Sequence, residues 1–283
     1  MTKMKRIGFV DYKLENFHAN VFLKNFRGPL VARGYTVAGA YSLDAQDGQA
    51  WCAKNNVAWF PSADALNEHV DCYAVLAPGN PETHLELCKK VFPSGKATYV
   101  DKTFAPSLEI AKEIFALADE CKVKVQTTSA LRYTDVQKKV AEIGGENLKH
   151  MIAWGCGSSF DEYAIHPVEM VVSCMGPGAT RVMRRGVAAY SQLLIDFTGE
   201  RTAVVNVYVP GETPFAAALT TEKTTQYLQV NLDTLFSNMA AAILDFFDAP
   251  KSLIDRNESL MVRRILDAAA DARALHEWVP LGA

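Results

Sequence analysis

Cys72-Tyr73-Ala74-Val75-Leu76-Ala77-Pro78-Gly79-Asn80-Pro81-Glu82-Thr83 is the stretch that decides the fold. The continuous apolar run Cys72–Ala77, closed by a Pro-Gly-Asn turn, reads as a buried strand. Pro81 then opens a helix running to about Val91, because proline suits the first helical turn. The same alternation extends both ways. Upstream, Arg6–Val10 reads as a strand, Glu15–Asn25 as a helix with Phe17, Val21 and Phe22 at helical spacing, Tyr35–Tyr41 as a strand and Gln46–Asn55 as a helix. Downstream, Ala97–Val100, Ser107–Cys121 and Val123–Thr127 read as strand, helix and strand. Such alternation implies right-handed crossovers and a parallel sheet, which takes ligands beyond the carboxyl ends of its strands. Residues 1–126 are therefore expected to form a Rossmann-like, doubly wound α/β domain.

From residue 127 the texture changes. A helix at Thr134–Ile143, a strand at Met151–Gly157 and a helix at Pro167–Met175 come first. Arg181–Tyr190, Gln192–Phe197, Ala203–Val209, Ala216–Thr221 and Gln226–Val230 then read as strands, with Gly199-Glu200 as a hairpin signal. Helices at Leu232–Phe247 and Glu258–Leu275 close the chain. This order predicts a C-terminal α+β domain over 127–283, its mixed or antiparallel sheet covered by helices on one face. The other face needs cover, so a homodimer or homotetramer is expected.

At 283 residues, 49% hydrophobic and 22% charged, the chain has the makeup of a folded protein of about two domains. A net charge of −3 gives no basic footprint for nucleic acid and no polybasic patch for a membrane surface. No apolar run nears the roughly 18 residues that span a bilayer. Met1–Arg6 is basic but lacks the apolar core and cleavage site of a signal peptide, which predicts a cytoplasmic protein. The six cysteines include no C-x-x-C pair and the six histidines no metal-binding spacing, so neither a disulfide framework nor a metal site is expected.

Four strings stand in a telling order: Val75–His84, Val100-Asp101-Lys102-Thr103, Ala164-Ile165-His166-Pro167-Val168-Glu169, and Arg256–Leu260 with Ile265–Ala269. They are similar to four features of the glucose–fructose oxidoreductase / inositol dehydrogenase / MocA (Gfo/Idh/MocA) family. These are a strand ending in Pro-Asn before a His-bearing helix, the Glu-Lys-Pro motif, the Gly-x-His-x-x-Asp helix, and the C-terminal helix. The resemblance spans essentially the whole chain. It implies a Rossmann domain holding NAD or NADP, a sheet domain presenting a small-molecule substrate, and hydride transfer involving a sugar, polyol or related hydroxylated compound. It assigns Lys102 to a place beside the nicotinamide and His166 to acid/base work. Both suit the chemistry, since histidine titrates near neutrality and a lysine ammonium stabilises a developing alkoxide. Glu162 and Glu169 stand at frequent family carboxylate positions. With Arg132 and His84 they are the candidates for substrate binding. The cofactor candidates are Asp11, Lys13 and Asn16 in the phosphate turn, Ser42 at the adenosine ribose, and Pro78, Asn80 and Asp101 at the ends of the fourth and fifth strands. Plainer readings stand beside these: Lys102 as a solvated strand-end residue, His166 as a cap-region histidine, His84 and His18 as packing between helix and sheet.

The chain departs from the family where phosphate is bound. In place of G-x-G-x-x-G stands Asp11-Tyr12-Lys13-Leu14-Glu15-Asn16. Those glycines allow the tight turn, the backbone's approach to diphosphate and close packing of the helix. Asp11 and Glu15 bring negative charge instead, and Lys13 offsets one of them. Asp101 and Thr103 replace the Glu and Pro of Glu-Lys-Pro. Two other functions therefore stay open: a non-redox enzyme such as a lyase or hydrolase, and a non-catalytic binding or regulatory protein on a degenerate dehydrogenase fold.

Overall fold

The computed structural model describes residues 4–282; Met1–Lys3, where the basic N-terminal stretch begins, and Ala283 lie outside the described residues. Strands β1 (Lys5–Asp11), β2 (Tyr35–Ser42), β3 (Ala58–Trp59), β4 (Cys72–Val75), β5 (Thr98–Asp101) and β6 (Val125–Thr128) form one sheet. Its order is β3-β2-β1-β4-β5-β6, with every ladder parallel. This is the doubly wound arrangement that the alternation implies, and its order reverses between β1 and β4, the switch point where such sheets take ligands. Helices α1 (Phe17–Arg27), α2 (Ala45–Asn55), α3 (Ala63–Asn67), α4 (His84–Val91) and α5 (Leu108–Glu120) lie between the strands. Asn16, Asp44, Ser62 and Ser107 start four of them, each side chain accepting an N–H of the first turn. Ile7, Phe9, Val10, Tyr73, Val75, Tyr99 and Val100 are sealed in the core, which is why these strands read as unbroken apolar runs. The sequence reading misses β3 and α3, which are too short to carry a period.

The remaining elements are α6 (Asp135–Ile143), β7 (His150–Cys156), α7 (Phe160–Tyr163), α8 (Ile165–Met175), β8 (Ala179–Arg185), β9 (Tyr190–Phe197), β10 (Arg201–Tyr208), β11 (Ala216–Thr220), β12 (Thr225–Gln229), α9 (Leu235–Asp248), α10 (Arg256–Ala270) and β13 (Val279–Pro280). The second sheet runs β12-β11-β7-β10-β9-β8-β13. Its β7–β10 ladder is parallel and the rest antiparallel, so the sheet is mixed. Met151, Ala153, Leu193, Ile195, Val205 and Val207 are buried, and α8 and α10 pack on the sheet. Alternate residues Ile152, Trp154, Leu194 and Val204 are half-buried. The strand expected over Arg181–Tyr190 ends at Arg185, because Gly186, at φ 75°, turns the chain. Gly199 and Glu200, both at positive φ, make the hairpin between β9 and β10.

The chain forms two compact units: residues up to Thr128 with Phe236–Ile254, and Ser129–Leu235 with residues from Asp255 on. This corrects the boundaries read from sequence. The first unit runs two residues past 126, and the expected 127–283 domain gives up α9. The cause is local. Met239, Ile243 and Phe246 of α9 are fully buried, and Phe236 lies 4.9 Å from the Phe17 ring centroid. Lys124 donates to the carbonyls of Phe246, at 2.7 Å, and of Ala249, a cation at the helix's negative end. Asp248 accepts from the Tyr35 hydroxyl at 2.7 Å and Arg33 Nη2 at 2.9 Å, and it also meets Lys5. Among the described residues no helix is long and apolar enough to cross a membrane.

Candidate functional site

At the switch point β1 ends in Asp11, which is 1% exposed. Its Oδ1 accepts the Lys13 N–H at 3.1 Å and its Oδ2 accepts Asn16 Nδ2 at 2.9 Å. Backbone hydrogen bonds from Tyr12 and Ala77 also favour its charged form. Burial nonetheless pushes the Asp11 carboxyl up from 3.8 to about 7, against the pull of those hydrogen bonds. Ala77, just past β4, sits at φ 44°, a left-handed backbone costing an alanine roughly 1–2 kcal/mol. Asn16 Oδ1 meanwhile accepts the Ala19 N–H at 3.0 Å, and Asn16 Nδ2 also reaches the Lys13 carbonyl at 2.6 Å. The buried Ser42 hydroxyl donates to the Asp44 carbonyl at 2.6 Å, and exposed Lys13 lies 3.6 Å from the Asp44 carboxylate.

Asp11, Asn16 and Ser42, expected to meet a dinucleotide, are thus engaged with one another and with the backbone around them. A diphosphate needs turn N–H groups that point outward to it. In this turn Asp11 and Asn16 take those donors, so it does not fit a diphosphate in the way a glycine-rich turn does.

The end of β5 is built differently. Asp101 is fully buried; its Oδ1 accepts the Tyr99 hydroxyl at 3.0 Å and the Lys102 N–H at 2.8 Å, while its Oδ2 meets Nδ1 of His18. Burial acts to raise the carboxyl, but His18 and Lys102 overcome it and hold Asp101 below the usual carboxylate range. Lys102 is half-buried, with Nζ donating to the Pro78 carbonyl at 3.1 Å, and the Lys102–Thr103 peptide is cis. Pro78, Asp101 and Lys102 are therefore brought together as the sequence reading implied. Asn80 instead donates to Glu82 at 2.9 Å.

His84 corrects an expectation. It is wholly buried, with Nδ1 3.0 Å from the Phe104 carbonyl and Nε2 2.7 Å from the Leu76 carbonyl. It braces the loops after β4 and β5 and has no surface for a substrate. His18 and Tyr99 were not foreseen as partners of Asp101. Tyr99 stands two residues before Asp101, on the same face of β5, a spacing that offered a signal.

The second unit carries its own cluster. Ser129 follows β6; its Oγ lies 2.7 Å from His166 Nδ1, and its N–H donates to Glu169 Oε2 at 2.8 Å. Glu169 Oε1 accepts Arg132 Nε at 2.9 Å, and Arg132 Nη1 donates to Glu258 Oε2 at 2.6 Å. Burial works against the Arg132 charge, yet Glu169 and Glu258 more than restore it and raise its pKa. Arg132 and Glu169, expected at the substrate, instead form a buried brace joining the segment after β6 to α8 and α10. Glu162 is exposed and accepts the Ser158 hydroxyl at 2.9 Å. His166 is half-buried near the rings of Tyr163 and Phe215, at centroid distances of 5.7 and 6.2 Å. Its Nδ1 contact with Ser129 fixes the imidazole plane, which suits a group that hands a proton on. Neither Ser129 nor Glu258 was singled out from sequence. Among the described residues no group of three or more His, Cys, Asp or Glu is placed to hold a metal ion.

A family model described as an oxidoreductase family with an NAD-binding Rossmann fold, GFO_IDH_MocA, matches residues 6–129. No curated protein matches the sequence. Among solved structures, apo scyllo-inositol dehydrogenase from Lactobacillus casei superposes with a TM-score of 0.84 at 12% identity, covering 100% of both chains. The same enzyme with bound NAD(H) and scyllo-inositol gives 0.81 at 11% identity, over 99% of this chain and 100% of that one. UDP-N-acetylglucosamine 3-dehydrogenase GnnA from Acidithiobacillus ferrooxidans gives 0.78 at 16%, over 97% and 98%. At such identities the likeness is one of fold. Residues 6–129, which carry the first sheet and Lys102, thus match the Gfo/Idh/MocA oxidoreductase family and its NAD-binding Rossmann fold.

Proposed function

We propose that the chain is an oxidoreductase acting on a sugar, a polyol or a related hydroxylated small molecule, with NAD or NADP as hydride carrier. The observation that carries this is Lys102, set beyond the carboxyl end of β5 by its backbone bond to buried Asp101, with Nζ on the Pro78 carbonyl. The Lys102 ammonium orients a substrate hydroxyl and stabilises its oxygen as the proton leaves. His166, held at Nδ1 by Ser129, is the acid/base group that the family resemblance assigns, with Nε2 as the nitrogen that exchanges the proton. The nicotinamide, when bound, supplies the hydride acceptor or donor. The fold neighbours that act on inositol and on a nucleotide sugar support the substrate class. The test is a panel of inositols, hexoses and nucleotide sugars with NAD or NADP, followed by nicotinamide absorbance. Reduction that needs substrate and disappears in Lys102→Met supports the assignment; no absorbance change with any compound, in either direction, removes it.

The engaged phosphate turn favours a second reading, in which Lys102 and His166 serve non-redox acid/base chemistry or ligand binding. Substrate consumed or bound with no nicotinamide turnover would establish it.

A further inference from the structure

We propose that Asp11 is a built-in occupant of the anion-binding crevice at the β1–β4 switch point, and that a dinucleotide enters this unit only by displacing the Asp11 carboxylate. Taking the ligand to be a nicotinamide dinucleotide rests on the oxidoreductase reading above. In a doubly wound sheet, the turn after the first strand and the start of the helix that follows present N–H donors to an anion. Here those donors converge on the protein's own carboxylate. Asp11 accepts from Lys13 at 3.1 Å and Asn16 at 2.9 Å, and it is also hydrogen-bonded by the backbone of Tyr12 and Ala77. These donors come from the turn after β1, the cap of α1 and the segment after β4, the parts that border the switch point. With Asp11 this deeply buried, no ligand oxygen reaches its donors while it stays in place.

The neighbouring residues reinforce the closure. Asn16 Oδ1 takes the Ala19 N–H, which removes a further donor of the α1 first turn. The Glu15 N–H is taken by the Asp47 carboxylate at 3.2 Å. Lys13 and Lys54, the cations of this rim, lie on Asp44 and Glu15. Left-handed Ala77, one of the donors, is a strained residue of the kind that concentrates at functional sites.

The test is calorimetric titration of the full chain with NADH and with NADPH, comparing wild type with Asp11→Gly and Asp11→Asn. Asp11→Gly removes both plug and charge, and should tighten at least one dinucleotide by about tenfold or more, the value of one recovered charge-assisted hydrogen bond. Asp11→Asn keeps the size, removes only the charge, and gives a smaller gain, which secures the comparison if the glycine variant does not fold. Micromolar binding by wild type overturns the proposal, as does a folded variant that binds no better than wild type. Because turnover is not read, an absence of redox activity counts against the oxidoreductase reading alone, and unchanged affinity counts against the Asp11 proposal alone.

Discussion

Nδ1 of His18, in the first turn of α1, meets Oδ2 of Asp101, at the end of β5, across 83 residues of sequence, and both side chains are buried. The other oxygen of that carboxylate holds the Lys102 N–H, so α1 helps to set the backbone from which the lysine projects. Phe236 of α9 covers the His18 ring at a centroid distance of 5.7 Å.

Breaking this pair should be costly, because it strands a carboxylate in the core. His18→Ala is expected to lose about 3 kcal/mol of unfolding free energy, the upper end for leaving a buried polar group short of a hydrogen-bond partner. Urea unfolding measures it. A loss under about 0.5 kcal/mol, the scale of an ordinary surface change, would show that the pair contributes little.

Lys102→Met and His84→Ala should fail in different ways. The first is expected to lower kcat/KM by about a hundredfold or more while the melting temperature holds, since it removes charge where the hydroxyl proton departs. The second should lose about 1–3 kcal/mol of stability, because a buried carbonyl is left without its donor. Wild-type turnover in Lys102→Met would cancel its assignment.

Arg132→Met leaves Glu169 and Glu258 without their shared cation, and about 3–5 kcal/mol of stability should go with it. Adding Glu169→Gln to that variant should recover part of the loss by neutralising the stranded charge. Strict additivity of the two changes would argue against a coupled brace.

Asp11 also gives stability a pH dependence of definite sign. Its folded-state pKa stands raised, at about 7 against 3.8, so the folded protein binds the proton more tightly than the unfolded chain. Stability from this group is fullest below about pH 4, declines as pH rises toward 7, and is then level. Between pH 5 and 8 the decline is about 2–3 kcal/mol at 1.36 kcal/mol per unit. Asp11→Asn should flatten it, with urea unfolding at the two pH values as the measurement. Parallel profiles for both proteins would rule the carboxyl out as the cause.

The second sheet predicts assembly. Ile152, Leu194 and Val204 sit opposite one another across β7, β9 and β10, half-buried on the face away from the sealed row. A second copy of the chain is the cover that we expect, as a dimer or tetramer at micromolar concentration. Light scattering should return a multiple of 31.1 kDa, and Leu194→Glu should return one chain's mass. A wild-type monomer throughout that range would contradict this.

Most of the first sheet was legible because its strands are buried on both faces and announce themselves as apolar runs. Lys102, Asp101 and Pro78 were singled out because Val100–Thr103 and Val75–His84 resemble family strings, and the fold places them side by side at the ends of β4 and β5. Arg132, Glu169 and His84 were read as ligand contacts, since a polar residue near a strand end looks the same whether it faces solvent or a buried partner. What separates the cases is a partner far along the chain, such as Glu258 for Arg132 or Phe104 for His84, and spacing carries no record of that. α9 was assigned to the wrong unit for the same reason: its apolar face shows that it packs, not against what.

The return of α9 has a consequence for how the protein is made. The chain passes between its two units three times, after Thr128, Leu235 and Ile254. A ribosome therefore delivers every strand of the first sheet early, yet the helix whose Phe236 covers the buried His18 emerges more than a hundred residues later. Domains generally fold in the order they are translated. Here the unit begun first is completed only after nearly all of the second sheet has been synthesised. A nascent chain stalled near residue 128 would present an open apolar seam, and a gene fragment cut there would not encode a self-sufficient domain.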